Sequence, residues 1–455
     1  MYFSTCCLSF LSVLLPPGAC TFFLSVVSFG RPQSGRDKAF LVSYNELFHN
    51  KQAVKAGTMK TAREIIEAEI RTRLENFRNS LAENGVDGAL IVQKTDLYYL
   101  SGTDQDAHLW VPADGDPLLM VRKSLQRAGE DSPIRDIVSL GAFSELPGRI
   151  EGHSSRAPAT LGLEMDVLPA KFYLAYRRLF PDARMVDIST LIRGVRMIKS
   201  AHEISLITKA ARVADRMYEE IPRLLSASRT ETELALRIEA FYRGRGHPGF
   251  VRTRGFNMEC LYGQVMSGKQ GAVPSNSPGP TGGTGLGAFY SQSAGRARIG
   301  NNEPIFVDYA ANVEGYIADQ ARIFSRGDLE GDFHRAHDTM LEIQAAVAEK
   351  ARPGTRAGDL YSLAVDMAEK AGLAEGFMGY PDPVPFVAHG VGLDIDEWPV
   401  IGRENGTLLR EGMVIALEPK FIFPGRGVVG IENTWVVTEH GLKRLNRFPD
   451  RIFIC

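Results

Sequence analysis

Charge of one sign is missing from this chain: 52 basic residues stand against 54 acidic ones, a formal net charge of -2 over 455 residues. No long-range field gathers nucleic acid or anionic lipid to such a surface. A disulfide framework is missing too. Of five cysteines, Cys6, Cys7 and Cys20 fall in the first thirty residues, which leaves Cys260 and Cys455 for the rest. That usage fits a reducing compartment and makes the cytoplasm the expected location. No uninterrupted apolar run reaches the ~20 residues that span a bilayer. The most apolar stretch, residues 1–30, has no charged side chain before Arg31 but is broken by Pro16 and Pro17. With nucleic acid and membrane set aside, the expected partner is a small peptide or other amide.

What is present reads as a folded, water-soluble protein, with 44% hydrophobic and 23% charged residues. Its length predicts two domains. Residues 1–58 stand apart from everything that follows. They lack the basic start and cleavage site of a secretory signal, and Pro17 replaces the aliphatic residue expected before Gly18-Ala19-Cys20 in a lipobox. The segment is either a targeting extension or an upstream mis-start. The second is preferred, because at Met59 the text turns at once to charged, helix-periodic sequence.

From Ala62, Ile66, Ile70, Leu74, Phe77 and Leu81 recur at helical spacing up to Asn84-Gly85. Apolar runs at 88–92, 118–121 and 161–163 predict strands of an α/β unit reaching about residue 187. A boundary near 195 follows, then a long amphipathic helix with Ile204, Ile207, Ala211, Ala214, Met217, Ile221 and Leu225 on one face. Helices around 231–243, 333–351 and 359–371 alternate with strand-like runs at 260–266, 305–309 and 316–324. Two helices followed by strands, occurring twice, suggest two similar halves facing each other. The stretch 277–287, Ser-Pro-Gly-Pro-Thr-Gly-Gly-Thr-Gly-Leu-Gly, has no Gly-Lys-Ser/Thr after it and reads as a loop rather than a phosphate cradle.

The C-terminal half also carries a set of hard and borderline metal donors. Asp308 ends the apolar run Pro-Ile-Phe-Val, and Asp319 lies on the next strand, so a hairpin can bring them together. His389 sits in Val-Ala-His-Gly-Val-Gly-Leu (387–393), whose glycines would let backbone crowd a metal or substrate. Glu418 and Glu432 occupy the apolar contexts Val-Ile-Ala-Leu-Glu-Pro and Val-Val-Gly-Ile-Glu-Asn. Taken singly, each residue has a structural explanation as a turn former, core histidine or solvent-facing carboxylate. As a set they do not, because two carboxylates in apolar strands demand a cation or a buried partner.

In that order and spacing, residues 62–450 resemble the family of methionyl aminopeptidase, Xaa-Pro aminopeptidase, Xaa-Pro dipeptidase and creatinase. The resemblance implies an α+β chain: an atypical extension at 1–58, a creatinase-like α/β N-terminal domain at 59–195, and a pita-bread catalytic domain with pseudo-twofold halves at 196–455. It implies two divalent ions, manganese first, with cobalt, zinc or iron as alternatives. Asp308 would chelate one ion, His389 and Glu418 the other, and Asp319 and Glu432 would bridge both. Glu418 would also shuttle the proton of an attacking water. A homodimer is implied as well.

The chain departs from the family pattern at three imidazoles. Ser275 follows Gly-Ala-Val-Pro where the Xaa-Pro enzymes have a histidine; Pro385 stands four residues before His389, and Asp396 seven residues after it, where others would be. Gly430 replaces the arginine that proline-selective relatives often carry two residues before the final glutamate. Asp396 and Ser275 are the candidate replacements, one for proton transfer and one for binding substrate. The expected function is a metal-dependent aminopeptidase or Xaa-Pro dipeptidase-like hydrolase. A non-peptide amidase and a catalytically weak metal-binding scaffold are the alternatives. A chain beginning at Met59 is expected to fold and to bind metal like the full chain. Insolubility or metal loss confined to the shortened chain, read by gel filtration and elemental analysis, would overturn the mis-start reading.

Overall fold

The first helix begins where the sequence supplies a reciprocal cap: the Thr61 hydroxyl accepts from the Glu64 N–H, and the Glu64 carboxylate accepts from the Thr61 N–H. The computed structural model describes residues 61–455, and the expectations for residues 1–58 lie outside the described residues. The helix Ala62–Glu83 closes at Asn84, and its apolar stripe packs under a six-stranded mixed sheet. That sheet runs Asp136–Ser139, Leu118–Val121, Ala107–Pro112, Gly88–Ile91, Thr160–Leu163 and Arg184–Asp187 in spatial order. Its central strands alternate in the period of two that pleating dictates. Ala89, Ile91, Leu109 and Val111 face one core, while Leu90, Trp110, Leu161 and Leu163 face another. Both faces are covered, which is why these strands read as unbroken apolar runs.

The second part of the chain opens with another reciprocal cap, between Ser200 and Glu203, that starts the helix Ala201–Ser226. Ile207, Ala211, Ala214, Met217, Ile221 and Leu225 are fully buried on it, as their spacing predicts. With the helix Glu231–Arg243 it backs a four-stranded sheet ordered Phe453–Ile454, Ala321–Ser325, Ile305–Tyr309, Gly263–Ser267. A second helix pair, Gly331–Lys350 and Ala357–Lys370, backs a five-stranded sheet ordered Glu397–Gly402, Phe386–Gly390, Val414–Leu417, Asn433–Thr438, Gly441–Arg444. The two similar halves are therefore real, and the architecture is the α+β pita-bread fold behind a creatinase-like domain. Among the described residues no helix is long and apolar enough to cross a membrane.

A buried charge cluster ties the early part of the chain to the loop after His389. Arg196 donates to Asp96 at 2.6 Å, to Asp394 at 2.7 Å and to Glu397 at 2.5 Å, and Lys199 reaches Glu397 at 3.0 Å. Arg254 adds Asp96 at 2.5 Å and Asp166 at 2.7 Å. Burial alone would raise the acids' pKa values, but the guanidinium and ammonium groups outweigh it. Glu397 is held at about 2, by Arg196 and Lys199, and Asp96 at about 2, by Arg196 and Arg254. Both values lie below the ordinary carboxylate range, so their stabilisation is complete above that range and is lost as pH falls toward 2. Arg196→Met removes the cation shared by three buried carboxylates, leaves Asp394 without one, and is expected to cost about 3–5 kcal/mol of stability at pH 7. Urea unfolding from pH 7 to 3 should show the wild type losing stability on acidification and the variant losing less. Identical pH slopes would sink this account.

Candidate metal centre and its cleft

The two sheets meet along a seam made by backbone. Ala321 and Glu432 exchange N–H···O bonds of 3.3 and 3.2 Å, and the Arg322 guanidinium donates to both of their carbonyls at 2.8 Å. Fully buried Arg322 also holds Asn433 at 2.8 Å and Asp450 at 2.6 Å. Around this seam the strands deliver five donors. Pairing of Ile305–Tyr309 with Ala321–Ser325 sets Asp308 opposite Ala321, two residues from Asp319, as the expected hairpin requires. Asp319 falls in the gap between the strands Tyr316–Ala318 and Ala321–Ser325, where the single strand expected over 316–324 divides. Its backbone N–H donates to the Thr434 hydroxyl at 2.9 Å, and that hydroxyl donates back to the Asp319 carbonyl. From the other sheet, His389 pairs with Ala416, and the rung Leu417–Asn433 puts Glu418 and Glu432 side by side just beyond it.

One oxygen of Asp319, one of Glu432 and a ring nitrogen of His389 lie within 4.8 Å of one another. His389 Nδ1 faces the Gly390 carbonyl oxygen at 3.1 Å, leaving Nε2 toward Glu418 at 3.3 Å and Glu432 at 4.0 Å. With Nδ1–H donating to that carbonyl, Nε2 presents the lone pair a metal needs. Burial, and then the neighbouring Asp308, push Asp319 up to about 7; burial pushes Asp308 up to about 6 against Lys420. Glu432 is raised well above its usual range by burial and by Asp319. Burial would raise Glu418 as well, but Lys420 and His389 hold it at about 2. This is the electrostatic signature of carboxylates crowded out of water and short of positive charge. The oxygen-rich set with one imidazole fits a divalent metal.

Sequence reasoning missed Lys420. Its ammonium is 3.1 Å from Glu432 Oε2 and 3.6 Å from Asp308 Oδ2, and it is bonded to Glu418 Oε2. The only signal was a lone lysine opening the apolar strand Lys420–Phe423 directly after Glu-Pro. It also missed Arg322, Thr434 and Gln344, whose side-chain amide donates to the Leu417 carbonyl at 2.8 Å.

The donors form the floor of a narrow cleft of about 90 Å³ walled by Tyr262, Tyr290, Phe386 and Ile395. The glycine-rich stretch is a loop, as expected, and its residues 277–281 supply one wall. Asp396 lies 3.7 Å from His389 Nδ1, with 40% of its side chain exposed. Ser275 is not brought to the floor; its hydroxyl donates to the Ser291 carbonyl at 2.5 Å. What crowds the glycines after His389 is protein: a Cβ on Gly390 would stand 2.3 Å from the Trp398 carbonyl, and one on Gly392 2.6 Å from the Glu397 carboxylate. Cys260 lines the cleft, but burial pushes its thiol up to about 12, so it stays protonated at neutral pH.

The pattern described as metallopeptidase family M24 matches residues 205–439, just over half of the chain. The chain belongs to that family. Residues 73–198 match the creatinase/prolidase N-terminal domain. An Xaa-Pro dipeptidase of Pyrococcus furiosus is 27% identical over 382 residues, 83% of this chain and 98% of that one. The crystal structure of dipeptidase PepE from Mycobacterium ulcerans is similar at 27% identity and a TM-score of 0.70, covering 85% of this chain and 98% of that one. An Xaa-Pro dipeptidase from Bacillus anthracis, 24% identical with a TM-score of 0.72 over 85% of this chain and 100% of that one, shares the fold. Membership makes this a metal-dependent peptidase, and the family implies divalent metal ions.

If Glu432 is central to the centre, Glu432→Ala should release essentially all tightly bound divalent metal while the far-UV circular dichroism stays unchanged. Wild-type metal content in that variant, by elemental analysis after gel filtration, would remove it from the ligand set.

Proposed function

We propose that the chain hydrolyses the first amide bond of small peptides that carry a free N-terminus, in the manner of an aminopeptidase or Xaa-Pro dipeptidase. The observation that carries this reading is the convergence of Asp308, Asp319, His389, Glu418 and Glu432 at the floor of a cleft of about 90 Å³. A bound metal, with manganese the preferred ion for this oxygen-rich set, would polarise the scissile carbonyl and make water a better acid. Asp319, Glu432 and His389 would hold it, with Asp308 and Glu418 completing the set. Glu418, kept ionised by the Lys420 ammonium, would take a proton from water and return one toward the leaving nitrogen. Asp396, at the edge of the same floor, is the proposed substitute for the missing imidazoles. It hydrogen-bonds or passes a proton to the leaving group, while Ser275 acts at most through the loop it anchors.

The cleft's charge supports an N-terminal over a C-terminal anchor. Among its described lining residues the one fixed cationic side chain is Lys420, and it already contacts Glu418. A substrate carboxylate finds no free partner there, whereas an α-ammonium meets Glu259 and Asp396. The remaining parts of the reading are a division into domains at 59–195 and 196–455, a cytoplasmic homodimer, and no nucleic-acid or membrane partner.

The test is a panel of manganese-loaded assays on free, N-acetylated and C-amidated di- and tripeptides, Xaa-Pro dipeptides and non-peptide amides. Cleavage of free and amidated peptides, with acetylated ones refused, is expected; refusal of every peptide would end the proposal. Without the family imidazoles, turnover of Xaa-Pro dipeptides should fall at least ~10²-fold below that of a histidine-bearing relative. Asp396→Asn should lower turnover by ~10-fold or more at unchanged metal content. Robust proline-dipeptide cleavage by the wild type defeats the specificity claim, and an unaltered rate in the variant defeats the role of Asp396.

A further inference from the structure

The geometry points to Lys420 as a resident cation: we infer that its ammonium fills one of the two cation positions of the ligand set, so that this chain binds one divalent ion rather than two. The inference rests on the reading of Asp308, Asp319, His389, Glu418 and Glu432 as that set.

Lys420 opens one strand of the hairpin formed by Lys420–Phe423 and Gly427–Gly430, and the register sets it directly opposite Gly430. A Cβ at position 430 would stand 2.7 Å from Lys420 Cγ and 2.9 Å from the Phe306 ring. The absent side chain at 430 therefore clears the path along which the lysine stem enters the site. The departure at Gly430 and the lysine at 420 are two sides of one arrangement.

At the end of that stem the ammonium contacts one oxygen each of Glu418, Glu432 and Asp308. A divalent ion would need oxygens of this kind at about 2.0–2.6 Å. It cannot share that volume with an ammonium already bonded there. Nor has the lysine an easy retreat: it is 1% exposed, and the Phe306 ring centroid lies 5.6 Å from Nζ. Withdrawal would leave a buried ammonium unpaired. On the other side of Glu432, its second oxygen, Asp319 and His389 remain grouped within 4.8 Å, enough for a single ion. Charge gives the same answer. Four buried carboxylates against one ammonium and one divalent ion leave a single negative charge, and a second ion would turn the sign and crowd cation against cation in a poorly screened site.

The experiment counts metal on the full chain. Protein saturated with Mn²⁺ or Co²⁺ is passed through gel filtration and analysed for metal per chain, and Co²⁺ titrations are followed by visible absorption. One ion per wild-type chain, a cobalt titration ending at one equivalent, and two ions in Lys420→Gly would support the inference. Two ions in the wild type would overturn it and leave the metal centre standing. No ion in the wild type would overturn both the inference and the ligand assignment. One ion in a folded Lys420→Gly would show that something other than the lysine sets the count. If that variant does not fold, the wild-type stoichiometry alone decides.

Discussion

Four carboxylates brought out of water at one seam set the conditions for the rest of this molecule. Asp308 and Asp319 arrive on one sheet, Glu418 and Glu432 on another, and together they concentrate more negative charge than a protein interior tolerates unpaired. Compensation comes from two kinds of source, the fixed Lys420 ammonium and whatever divalent metal the remaining donors hold. Burial, ahead of their mutual repulsion, raises the pKa values of Asp308, Asp319 and Glu432. The site is built to want a cation.

Holding such groups together against their repulsion takes rigid backbone. The Ala321–Glu432 bridge fixes the separation of the two sheets at the point where the ligands emerge. Arg322 spans it, donating to both carbonyls and to the C-terminal segment, so that segment is pinned to the seam by one fully buried guanidinium. The Arg196 cluster does the equivalent work for the loop after His389. Glu397 accepts the N–H groups of Leu393 and Asp394 and is itself held by Arg196 and Lys199, which fixes the loop that presents Asp396. Both devices place strong charge-assisted hydrogen bonds where a small displacement would move a ligand or a proton-handling group.

Among its described lining residues the cleft offers no cation without a carboxylate partner. Its walls are aromatic and its floor acidic, and its cations are already engaged. The family resemblance leads one to expect imidazoles where this chain has Ser275, Pro385 and Asp396. Of these three, Asp396 alone stays beside the floor and within reach of His389.

Much of this was legible in the chain itself. The helices Ala62–Glu83, Ala201–Ser226 and Glu231–Arg243 follow from local caps and apolar spacing, because both act within a few residues. The five candidate donors were legible for a related reason: each sits in or beside a short apolar run that marks a buried strand. What lay beyond reach depended on register between distant segments. Nothing local says that Lys420 faces Gly430, that the cleared space leads to Glu418 and Asp308, that Glu397 is a structural partner of Arg196, or that Ser275 turns away to Ser291. Sequence determined which residues could carry metal chemistry. Tertiary structure alone decided which charges share the site with them, because electrostatic partnership is set by distances of a few ångströms between strands that are far apart along the chain.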